Sequence, residues 1–147
     1  MIKSQTEPTD ITVKINRLST LLTTGLLSGV IAALLNIIYM YLHESFTSFS
    51  IPEVINIGSV TIASLIPGII SGIFYFMLRR IMSDKKAMTT FLITLFLFVL
   101  LSLFGPLSSE LPNGVITPQG FKGLTIPMHI IAFGIYSTML VRSVPTS

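Results

Sequence analysis

The chain has 147 residues, of which 51% are hydrophobic and 10% charged, with a formal net charge of +3. A charged share this far below the ~25% of an ordinary soluble domain excludes a soluble α/β enzyme and points to a membrane protein. Cysteine is absent, which removes disulfides, thiolate nucleophiles and Cys-based metal sites from consideration.

Residues 1–17 form a polar tail that opens Met1-Ile2, where an N-myristoylation signal needs Gly after Met. The first apolar stretch, 18–42, is longer than the roughly 7 to 15 residues of a signal-peptide core, so it is expected to stay as an uncleaved anchor. Further apolar stretches lie at 55–78, 88–104 and 124–141, and none of these segments contains Lys, Arg, Asp or Glu. At ~1.5 Å per residue each approaches or exceeds the ~30 Å hydrocarbon layer, which predicts four transmembrane helices. The expected fold class is therefore all-α, an antiparallel four-helix transmembrane bundle over 18–142, followed by a short tail at 143–147.

Span 1 carries Gly25, Gly29, Ala32, Asn36, Tyr39 and His43 at steps of three and four, which places them on one helical stripe. Span 2 repeats the device with Thr61, Ser64, Gly68, Gly72 and Tyr75. Small residues let helix backbones approach in lipid, so the GxxxG pairs Gly25/Gly29 and Gly68/Gly72 are read as helix-packing positions, with intrachain packing preferred over a dimer. Pro67 lacks a backbone donor and predicts a kink in span 2, with Ser64 or Ser71 near the freed carbonyl. Span 3 has no Gly or Ala between Met88 and Phe104 and is expected at the periphery. Span 4 offers Thr125, His129, Ala132, Phe133 and Tyr136 as its inward sector.

Positive charge sets the orientation. Lys3, Lys14, Arg17, Arg79, Arg80, Lys85, Lys86 and Arg142 fall at one set of ends, and only Lys122 at the other. Retention of basic loops on the inside predicts cytoplasmic termini in the plasma membrane. The cluster Arg79, Arg80, Lys85 and Lys86 serves topology, or anionic lipid head groups, and calls for no nucleic-acid partner. The connector at 105–123, rich in Pro and Gly, is expected to be an irregular, turn-rich loop.

With that orientation Asn36 and His129 lie at similar depth in the outer half, together with Thr61, Ser64 and Ser102. Polar groups at such depth are costly unless paired or wet, so these five residues are the candidates for a small polar pocket opening outward. The competing reading is structural, with Asn36 and His129 bonded to each other or to a backbone carbonyl. Catalytic signatures are missing: His43-Glu44 has no second His at the zincin spacing, and Ser108 does not sit in a GxSxG elbow. No enzymatic activity, metal or cofactor is expected.

With these residues in view, the chain resembles a bacterial four-span family catalogued as a domain of unknown function numbered six-zero-six-nine. The resemblance covers roughly residues 18–142. It rests on the first span with its late Asn36 (GLLSGVIAALLNIIYMYL) and the second with Pro67 and terminal Arg79 (SLIPGIISGIFYFMLRR). It continues with Ser102 and Pro106 closing the third (LLSLFGPLS) and Met128-His129 in the fourth (IPMHIIAFGIY). The family implies topology and draws attention to Asn36, Pro67 and His129, but implies no activity. The functional expectation is a small-molecule or lipid binding, transport-associated module among membrane lipids, working as a homo-oligomer. The alternative is an accessory subunit packed against a larger membrane-protein partner through span 3.

Overall fold

The computed structural model describes residues 10–47, 55–108, 110, 114, 116–118 and 120–143, and side chains in the first helix from Arg17 onward. Lys3, the side chain of Lys14, Phe49, Ile51, Glu53, Leu111 and Pro112 lie outside the described residues, as do residues 1–9 and 144–147 of the two tails. The helices are α1 (Asp10–Thr47), α2 (Ile57–Ile81), α3 (Asp84–Ser102), α4 (Phe104–Leu107) and α5 (Phe121–Arg142). The long ones pack as an all-α four-helix bundle, and four segments are long and apolar enough to cross a membrane, the mark of a membrane protein.

Helix ends follow local chemistry. α1 begins well before the apolar run, because Asp10 to Arg17 contains neither Gly nor Pro to stop the backbone ladder. Asn56 and Ser59 form a capping box at the start of α2, in which the Asn56 side chain accepts the Ser59 N–H at 3.0 Å and the Ser59 hydroxyl accepts the Asn56 N–H at 2.9 Å. Pro106 has no N–H for the Ser102 carbonyl, and α3 stops at Ser102 before the single turn of α4. The connector expected to be irregular thus holds one helical turn, and beyond it an isolated bridge pairs Glu110 with Ile116. Gly120 enters α5 at φ 98°, a left-handed conformation that a side chain would strain.

The closest helix pair is α1 and α2, joined where their GxxxG motifs face each other. A methyl placed on Gly25 would stand 2.6 Å from the Gly68 carbonyl oxygen, and one on Gly68 would stand 2.6 Å from that of Gly25. A methyl on Gly72 would strike the Leu21 carbonyl oxygen. α5 packs on α1 as well, whereas α3 touches α2, α4 and α5 but not α1. α3 joins the bundle through aromatic rings, Phe91 against Tyr75 at 4.7 Å and Phe96 against Phe133 at 6.1 Å. Other bulky residues of α3, among them Ile93, Leu97 and Leu101, face outward. Pro67 lies inside a continuous α2.

Candidate functional site

Asn36 sits on the buried stripe of α1 with only 4% of its surface exposed. Its Nδ2 donates to Ser64 Oγ on α2 at 3.4 Å, a long bond, while its buried Oδ1 has no partner. His129 does not bond Asn36. Its Nδ1 lies 2.8 Å from the Thr125 carbonyl oxygen one turn back along α5. A histidine can satisfy one nitrogen on its own helix in this way, and the other nitrogen then remains for a neighbour. Thr125 in turn donates its hydroxyl to the Phe121 carbonyl at 2.8 Å.

Asn36, Ser64 and His129 nevertheless line one cavity, of about 210 Å³, between α1, α2 and α5. Ser59, Val60 and Thr125 complete its wall toward the end of the bundle where α2 begins. A second cavity, of about 310 Å³, runs between α2, α3 and α5 and is walled mainly by Pro67, Phe74, Phe91, Phe98 and Phe133. Ala63, His129 and Ala132 line both. The site is thus two adjoining spaces, both walled mostly by apolar surface with a few polar groups, in place of the single polar pocket expected.

Ser102 lines the apolar cavity, its hydroxyl donating to the Val99 carbonyl at 2.7 Å. Thr61 is a correction: it lines neither cavity, and its hydroxyl donates to the Ile57 carbonyl at 2.7 Å. The buried face of α2 comprises Val60, Ser64, Gly68, Ser71, Gly72, Tyr75 and Leu78, and Thr61, about 50° from its mean direction, sits toward the edge of that face. Sequence reasoning did not place Thr94, which lines the apolar cavity, or assign Ser71 to it. Phe91 and Leu95 bury the same face of α3, and Thr94 flanks it one turn on from Phe91, a spacing that could have shown it.

Two cross-helix bonds hold the walls. The Tyr136 hydroxyl donates to the Ser64 carbonyl at 2.6 Å, tying α5 to α2, and the Tyr39 hydroxyl donates to the Gly123 carbonyl at 2.7 Å, tying α1 to α5. Among the described residues no three His, Cys, Asp or Glu side chains gather in a metal-binding group. Ser108 Oγ accepts the Glu110 N–H at 3.3 Å and forms no dyad with His129, whose Nδ1 is turned to Thr125.

At the opposite end of the bundle the basic cluster divides. Arg80, Lys85 and Lys86 are turned outward. Arg79 is a correction to the head-group reading: its side chain is 4% exposed and pairs with Asp84 at 2.7 Å, with its guanidinium 5.8 Å from the Tyr75 ring centre.

No curated protein and no solved structure matches the chain. A family model does match residues 16–144, almost the whole of the bundle just described, and the chain accordingly belongs to the family described as "Family of unknown function (DUF6069)".

Proposed function

We propose that this protein is a binding module of the plasma membrane that crosses the bilayer four times, keeps both termini in the cytoplasm and holds a small amphiphilic molecule or lipid in its paired cavities. The observation that carries the reading is Asn36, which lines a cavity adjoining a larger one at His129 and has a buried Oδ1 without a partner. A polar atom without a partner costs about 1 to 3 kcal/mol in a protein interior, a cost that a bound ligand offsets by supplying the missing bond. Ligand sites characteristically combine an apolar lining with a few convergent polar groups, the composition found here. The orientation follows from the eight Lys and Arg at one set of ends against Lys122 at the other.

The test is to extract the protein with its native lipids into nanodiscs and measure retained mass by native mass spectrometry. A molecule carried by the wild type and lost from Ala132→Phe and Ala63→Phe, whose rings enter the shared wall, is the expected result. Equal retention in all three proteins would sink the proposal. A stoichiometric unrelated protein in its place would favour an accessory subunit.

A further inference from the structure

Among the described residues, no Lys, Arg, Asp or Glu lines either cavity. An ionised head group lodged there would lose water without meeting an opposite charge, which disfavours phosphates, carboxylates and ammonium groups alike. The ligand's polar end is therefore neutral.

Acceptors lie on residues around the two cavities, Asn36 on the smaller one and His129 and Ala63 on both. Asn36 commits Nδ2 to Ser64 and leaves Oδ1. The Thr125 carbonyl oxygen that His129 Nδ1 faces at 2.8 Å only accepts, so Nδ1 carries a proton, and in that tautomer Nε2 is the accepting nitrogen. Pro67 has no N–H, which withdraws the usual helical donor from the carbonyl of Ala63, itself part of the shared wall. These three groups on three helices call for a donor.

The apolar cavity gives the other end of the molecule. It follows α2 from Ala63 to Phe74, a rise of about 16 Å at ~1.5 Å per residue. Its length and its Phe-rich wall suit a hydrocarbon chain, and the polar end then falls beside His129 and Asn36.

We infer that the paired cavities hold a neutral lipid with a hydroxyl at one end of its hydrocarbon, the O–H donating at the end lined by Asn36 and His129 and the chain lying between α2, α3 and α5. Long-chain alcohols, diacylglycerols and prenols share this chemistry. The inference rests on the ligand-binding reading above and narrows it.

Dodecanol, dodecyl methyl ether and dodecyl methyl ketone share a chain and differ in whether the head donates. Each is added to the protein in phosphatidylcholine nanodiscs, and retention is read by native mass spectrometry after correction for partition into protein-free discs. The alcohol is expected to be held about threefold to tenfold more tightly than the ether or ketone, the range one net hydrogen bond supplies. In Asn36→Leu that preference should fall below about twofold, by loss of the same bond. Equal retention of all three, blocked in Ala63→Phe and Ala132→Phe, overturns the hydroxyl assignment and leaves the binding site standing. It would mean that water satisfies Asn36. Preference for the ketone overturns it too, by reversing the Asn36 amide. Retention of none above the level of the Phe variants overturns both readings. The comparison of heads in the wild type decides even where Asn36→Leu does not fold.

Discussion

The Tyr39 hydroxyl donates to the Gly123 carbonyl at 2.7 Å, and that carbonyl is the acceptor that Pro127, four residues on and without an N–H, leaves unserved. A side chain of α1 thus completes the backbone bonding of α5 and fixes the two helices in register.

Tyr39→Phe is expected to lower stability by about 1 kcal/mol, within the range measured for membrane hydrogen bonds. Pro127→Ala restores an N–H four residues from Gly123, so the cost of Tyr39→Phe should shrink in that background. Thermal unfolding of the four proteins in nanodiscs gives the double-mutant cycle. Strict additivity would mean that the bond does not serve the acceptor vacated by proline.

The α1–α2 crossing makes a sharper prediction, because the atoms opposing each glycine are backbone. Gly25→Ala and Gly68→Ala each bring a methyl to 2.6 Å from a carbonyl oxygen, and only separation of the helices relieves it. A loss of about 2 to 3 kcal/mol is expected from each, at the upper end of overpacking costs. Gly134→Ala is the control, since nothing lies within 4 Å of its added methyl, and helix propensity alone should make it neutral or stabilising by up to about 1 kcal/mol. Equal melting temperatures for Gly25→Ala and Gly134→Ala would contradict the crossing.

These glycines were readable from the sequence for the reason that makes them vulnerable. Close backbone approach admits almost no other residue, so steps of three and four in small residues betray the contact face. The inward turn of Asn36 was readable likewise, being four and seven residues beyond Ala32 and Gly29 on one stripe. What the sequence did not disclose was where each polar group finds its partner. His129 bonds along its own helix and Asn36 crosses to α2, and spacing does not choose between such options. The apolar cavity was hidden because bulky Phe and Leu in α3 fit an outward face and a cavity wall equally well. Pro127 was a missed signal: counting back four residues names the carbonyl that needs help.

Tyr136 ties α5 to α2 through a buried bond to the Ser64 carbonyl at 2.6 Å. Its ring also lines the apolar cavity. Tyr136→Phe keeps the ring and removes only the donor to an acceptor that α2 can still pair with its own Gly68 N–H. A loss of about 1 kcal/mol in thermal unfolding is expected, with retention of a bound molecule unchanged. Loss of the molecule with stability intact would show that the phenol acts on the ligand and not on the helix pair.

Arg79 and Asp84 face each other across the Met82-Ser83 turn at 2.7 Å, with side chains 4% and 14% exposed. In sequence Arg79 reads as one more basic residue of a topology signal, and the acid five positions on drew no reading. In the structure they latch α2 to α3, and the Tyr75 ring beside the guanidinium limits its access to water. Asp84→Asn leaves the covered guanidinium without its carboxylate, at an expected cost of about 2 to 3 kcal/mol, discounted from the deeply buried case because the acid is partly wet. Arg79→Met combined with Asp84→Ala removes both charges and should recover much of that loss. Arg80→Ala, one residue away and turned outward, should change stability by less than about 0.5 kcal/mol. Unfolding in nanodiscs measures all three, and an Arg80→Ala cost equal to that of Asp84→Asn would return Arg79 to the head-group role that its burial denies it.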